Sequence, residues 1–218
     1  MAIGLISSNT YEGGYVQTHT MTDFDASGTD TFVLQGSYNR NPAADVTART
    51  IEGVSPTTEI SATTVNQNSV VVLSRLINNA AVTCVTTTPA YRQEAMIGMG
   101  LSGVDQSTPV ASTYDSGSQW GSSPNASRTG TAGNWFIVFI AYRTASTLTL
   151  SAGMTLIEDF DHSDPNLGQC FAAYVECTGS AQTVGATAAA NNNHRFAIIE
   201  VTAATGGASP NSGLLAMF

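Results

Sequence analysis

Short β-branched and aromatic segments, each closed by Gly, Asn, Pro or Ser, recur along this chain, and no helical periodicity competes with them. They are Asp30–Tyr38, Asp45–Ile51, Thr57–Thr64, Ser69–Ile77, Ala81–Thr88, Tyr91–Leu101, Asn134–Tyr142, Ser146–Ser151, Met154–Phe160, Gln169–Cys177 and His194–Thr202. Such side chains suit a pleated, half-buried surface, and the small polar clusters between them mark turns. No window carries apolar residues at i, i+3, i+4 and i+7 over successive turns. Gly, Thr, Asn and Ser also disfavour helix, through backbone entropy and competing side-chain hydrogen bonds. The expected class is all-β: an antiparallel β-sandwich, jelly-roll-like, in one domain over residues 1–218. Its core is expected at about residues 25–203, with extended terminal arms at 1–24 and 204–218.

Two segments are more specific. The apolar run Trp135–Tyr142 fits a strand buried on both faces, with Trp135 in the core. Tyr91–Leu101, interrupted by Gly98 and Gly100, reads as a central strand with little room on one face. Residues 102–133 lack periodicity and read as a long loop, a type that usually carries function.

Charge narrows the partners. Charged residues make up 11% of the chain, against roughly 25% in an average soluble protein. The net charge is −9, and all seven basic residues are arginine, scattered singly. Phosphate binding needs several cations on one face, so direct nucleic-acid binding is not expected. Anionic lipid attracts basic segments, so no membrane association is expected either. The first residues, Met1-Ala-Ile-Gly-Leu-Ile-Ser-Ser, lack a basic n-region and a long apolar run, so the chain is expected to be made in the cytosol. Hydrophobic residues reach 42%, enough to fill a core.

Candidate chemistry is sparse. Cys84, Cys170 and Cys177 form an odd set without CxxC spacing, which argues against a disulfide framework or a structural zinc. Cys170 and Cys177 are expected on opposite faces of a strand. A nucleophile could be composed from Cys84 or Cys170 with His162 or His194, but thiols in strands are expected to be buried and inert. There is no Gly-x-Ser-x-Gly elbow and no His-Glu-x-x-His. Gly98-Met-Gly100 lacks the third glycine of a phosphate loop. The chain is expected to be no enzyme and to need no cofactor. Glu158-Asp-Phe-Asp-His-Ser-Asp164 gathers oxygen donors, with Asp159, Asp161 and Asp164 as weak candidates for a cation loop. A solvated acidic turn accounts for the same residues, and the EF-hand spacing is missing.

Contact residues are better represented. Tyr114 and Trp120 lie in the long loop beside Asp115 and Gln119. Aromatic residues of this kind anchor subunit contacts or stack on a sugar ring. The apolar end Leu214-Leu215-Ala-Met217-Phe218 either folds back on the sandwich or docks on a neighbouring subunit.

Four stretches resemble a β-sandwich family of tailed-bacteriophage virion proteins and their prophage relatives. They are Asp30-Thr-Phe-Val-Leu, Gly100-Leu-Ser-Gly-Val-Asp-Gln-Ser-Thr-Pro-Val110, Gly133-Asn-Trp-Phe-Ile-Val and Arg195-Phe-Ala-Ile-Ile-Glu-Val201, spread over about residues 25–203. Ser102-Gly-Val-Asp-Gln-Ser-Thr-Pro109 is the most distinctive. The resemblance implies a non-enzymatic virion building block, assembled in the host cytoplasm. The first expectation is a capsid decoration (cement) protein that self-associates, as a homotrimer, and bridges subunits of the major capsid protein. The alternative is a tail-associated fibre or receptor-binding protein that recognises a host surface glycan.

Overall fold

The computed structural model describes residues 1–39, 48–61, 69–143, 146–163 and 168–205. Every regular element among them is a strand. In chain order these are β1 (Gly4–Ala26), β2 (Phe32–Asn39), β3 (Ala48–Ile51), β4 (Thr57–Ser61), β5 (Ser69–Leu76), β6 (Asn79–Ser102), β7 (Val110–Asp115), β8 (Gln119–Gly121), β9 (Asn125–Thr129), β10 (Trp135–Tyr142), β11 (Leu148–Leu150), β12 (Thr155–Asp161), β13 (Gln169–Glu176), β14 (Ala181–Ala188) and β15 (Asn192–Val201). All pairings are antiparallel, and the sandwich expected from the sequence is formed.

Three sheets stack. The first runs β1-β6-β2-β5-β4, with β3 also on β6; the second runs β12-β13-β10-β15-β7, with β8 also on β15; the third is β11-β14-β9. β10 explains the stacking. All eight of its residues are buried, and alternate side chains serve opposite layers. Trp135, Ile137, Phe139 and Ala141 join the core against the first sheet. Phe136, Val138 and Ile140 join a second core against the small third sheet. The two main sheets interlock at Gly36, where a Cβ would lie 2.3 Å from the Phe139 ring. The Tyr38 hydroxyl crosses the same interface and donates to the Phe171 carbonyl at 3.0 Å.

The first sheet also closes a third core by curling. β1 and β6 pair along most of their length, but register shifts between Gly13 and Thr18 bend the ribbon. β1 then returns alongside itself. Ser7 Oγ accepts from the Asp25 amide at 2.6 Å, and Asn9 Nδ2 donates to the Thr22 carbonyl at 2.6 Å. Inside the curl, Met21, Phe24, Ile51, Val82 and Cys84 cover Val33, Val71 and Leu73 on the outer face of the sheet. Gly98 makes this possible, because a Cβ there would sit 2.4 Å from Met21 Cε. Tyr91–Leu101 is thus part of a central strand with little room on one face.

Residues 1–24, expected as an arm, are instead mostly strand β1 of the first sheet. The expected long loop 102–133 carries β7, β8 and β9. Their small residues blurred the alternation, although Val110, Ser112 and Tyr114 turn inward and Ala111, Thr113 and Asp115 outward. Ala81–Thr88 and Tyr91–Leu101 belong to one strand, β6.

Candidate functional site

The aromatic pair singled out in the sequence is split by the fold. Tyr114 is half-buried in the second core, 5.8 Å from the Phe196 ring, with the Arg128 guanidinium 5.0 Å above it. It is a packing residue. Trp120 is 69% exposed, the largest exposed side chain on the second sheet. Their partners on β15, Ile198 and Asn193, are an odd number of residues apart, so the two rings take opposite faces of the sheet. β8 holds Trp120 in place. His194 pairs with Gln119 and Asn193 with Trp120, while the Tyr142 hydroxyl lies 3.0 Å from the Gly121 carbonyl. Asn193, the register partner of Trp120, sets one amide side chain on the same face as the exposed indole, while Gln119 and Asn192 take the opposite face.

The acidic segment fastens β12 to neighbouring strands. Glu158 accepts from Ser8 Oγ at 2.6 Å, and Asp159 accepts from Gln169 Nε2 at 2.6 Å. Burial raises the Asp159 carboxyl above the ordinary carboxylate range, with Asp161 adding to it, and the Gln169 bond offsets part of this. Beyond β12, the Ser163 amide donates to Glu12, and His162 Nδ1 lies 3.8 Å from the same carboxylate. Asp164 lies outside the described residues. No three His, Cys, Asp or Glu side chains gather as metal ligands among the described residues.

The three cysteines are buried free thiols, with Cys170 in the first core and Cys177 in the second. Burial pushes Cys84 and Cys177 up to about 12 and Cys170 well above its ordinary value. They stay protonated near neutrality and supply no thiolate. His194 is held below its ordinary value by burial and stacks on Tyr142 at 5.7 Å.

The Ser102–Pro109 stretch is a joint between sheets. Gly103 sits at φ +67°, and a Cβ there would lie 2.2 Å from the Ala2 carbonyl oxygen, so only glycine fits without strain. Asp105 Oδ1 accepts from the Ser107 and Thr108 amides, both at 2.8 Å, which shapes the turn. The Val104 amide donates to Asp30 and the Asp105 amide to Thr202, tying the start of β2 to the end of β15.

Two polar clusters escaped sequence reasoning. Glu200 on β15 accepts from the Thr131 amide, Asn134 Nδ2 and Ser112 Oγ, each at 2.8 Å. These bonds, with Arg128 nearby, hold its carboxyl below the ordinary range against a desolvation that opposes them. Glu94 is fully buried inside the curl, near Arg49, Ser37 and Thr86. Neither of its oxygens meets full hydrogen-bond geometry with those groups. Burial pushes its carboxyl up to about 7, offset in part by Arg49 and the two hydroxyls. The signal for both lay in alternation, since Glu94 shares a face with Met96 and Gly98.

Two clefts open at the sandwich rim. One of about 520 Å³ lies between β4, β5 and the Ser107–Val110 turn, where Glu59 already accepts from Ser74 Oγ at 2.5 Å. The other, about 560 Å³, is lined by Ile3, Ala111, Trp135, Glu176 and Ala204. Leu214, Leu215, Met217 and Phe218 lie outside the described residues. No protein-family model, no curated protein and no solved structure matches this chain.

Proposed function

We propose that this chain is a non-enzymatic structural protein of a tailed-phage virion, a capsid decoration protein that bridges major capsid subunits. The carrying observation is the joint at Gly100–Val110. The stretch that most resembles virion sandwich proteins coincides with the residues that fasten the first sheet to the second. The resemblance therefore falls on a turn that ties the two main sheets together.

The chemistry of the side chains supports a mechanical role. The cysteines are held as thiols, and Glu158, Asp159 and Glu200 are engaged in bonds between strands. Trp120 on β8, Leu156 on β12 and Val54 after β3 are exposed apolar side chains that would offer contact area to capsid subunits. A closed homotrimer would match threefold junctions in a shell, with Leu214–Phe218 as the latch to a neighbour. The test is to add purified chain to capsids lacking it and measure survival of osmotic shock. Saturable binding with increased survival is expected; binding without increased survival, or none, contradicts the role.

The second reading, a tail-associated protein that binds a host glycan, is favoured by one observation. Trp120 is fixed on a paired strand yet 69% exposed, with the Asn193 amide as its register partner, an arrangement suited to stacking on a sugar ring.

A further inference from the structure

We propose that the curl of the first sheet is a pH-gated flap. The far half of the β1–β6 ribbon, with β3, closes over the third core while Glu94 is neutral and loosens when Glu94 ionises.

The geometry supplies a hinge, a cover and a sensor at one place. The hinge is the pair of register shifts between Gly13 and Thr18 on β1. Glu94 is the register partner of Gly13, so the acid sits at the bend itself. A Cβ on Gly13 would lie 2.3 Å from His19 Nδ1, which shows how tightly β1 passes itself there. The cover is the segment carrying Met21, Phe24, Ile51, Val82 and Cys84, whose apolar side chains lie on Val33, Val71 and Leu73.

The interior of the curl is graded. Its far end is apolar, while the hinge end holds Glu94, Gln35, Ser37, Thr86 and His19, all buried. Gln35 Nε2 donates to Ser37 Oγ at 2.8 Å. Among the described residues, the titratable or charged groups near Glu94 are Tyr11 and His19 from β1 and Arg49 from β3. β2 presents Gln35 and Ser37, β5 presents Val71 and Leu73, and the far half of β6 presents Thr86 and the thiol of Cys84. Arg49 is the one fixed cation of this set, and it only partly offsets the burial of the carboxylate.

The sign follows from linkage. In an open flap Glu94 meets water and titrates near its ordinary value of 4.5, whereas the closed flap holds it near 7. Closing is therefore strongest at low pH, weakens as pH rises between those values, and levels off above the upper one. Between about pH 5 and pH 8 the closing equilibrium should fall roughly 70-fold.

Hydrogen exchange resolved by strand tests this. Amides of Thr18–Ala26, Ala48–Ile51 and Asn79–Thr87 should lose protection by about that factor over this range, after correction for intrinsic exchange, while β10 amides stay protected. Glu94→Gln should abolish the pH dependence. A flap whose protection is independent of pH, or a pH dependence that persists in Glu94→Gln, overturns the proposal. Should that variant fail to fold, the carboxyl ¹³C shift of wild-type Glu94 decides. A midpoint near 7 with flap protection that falls up to that pH supports the flap, whereas a midpoint near 4.5, or protection that does not follow the titration, overturns it.

Discussion

Gly13 lies directly opposite Glu94 in the β1–β6 ribbon, and the missing side chain at Gly13 is what lets His19 fold in beside it. A fully buried acid and the bend that encloses it are thus one structural unit. That pairing makes the stability of the protein depend on pH in a specific direction.

Glu94 has a raised value in the folded chain, about 7 against an ordinary 4.5. Its favourable contribution is complete below the unfolded value and is lost as pH rises through the folded one. At roughly 1.4 kcal/mol per unit, the full loss is about 3–4 kcal/mol. Urea denaturation at about pH 5 and about pH 8 should show about 2–3 kcal/mol of that loss in the wild type, and Glu94→Gln should be nearly flat across the same range.

Glu200 acts with the opposite sign. Its carboxyl is held below the ordinary range by Thr131, Asn134 and Ser112, so its contribution is present above the unfolded value and lost as pH falls through the folded one. Glu200→Ala leaves those donors without their acceptor and should cost about 1–3 kcal/mol at neutral pH. Chemical denaturation measures it, and a change below about 0.5 kcal/mol would contradict the network.

The joint at Gly103 makes a sharper demand on the backbone. Gly103→Ala must place a Cβ against the Ala2 carbonyl at a positive φ, which should cost about 1–3 kcal/mol. Gly53→Ala is the control. It also has positive φ, +68°, but open space around the new methyl, so it should cost less. Thermal melts of the two variants side by side decide whether close approach adds to the strain.

The contrast between β10 and β1 explains what the sequence made legible. Trp135–Tyr142 announces itself, because a run of eight apolar, largely β-branched and aromatic residues fits a strand buried on both faces. β1 is an edge strand, and its alternation of outward Thr18, Thr20 and Thr22 with inward His19 and Met21 is short and mostly polar. β14 was missed for a related reason, since its inward residues Val184, Ala186 and Ala188 are small. Trp120 was legible as a contact residue, but Tyr114 was not separable from it until register assigned them to opposite faces. Alternation puts Glu94 on one face with Met96 and Gly98, but nothing in Gln93-Glu94-Ala95 says that a ribbon will fold over that face.

Trp120→Ala should separate the two proposed roles without disturbing the fold. Its side chain is mostly exposed, so stability should change by less than about 0.5 kcal/mol. Loss of sugar binding on a glycan array would favour the tail role. Unchanged glycan behaviour with weakened capsid binding would favour subunit contact.

Immunogold electron microscopy of intact virions, with an antibody against this chain, tests the decoration role most directly. Label spread over the head is the expected result. Label confined to the tail tip, or absent from the particles, would contradict it.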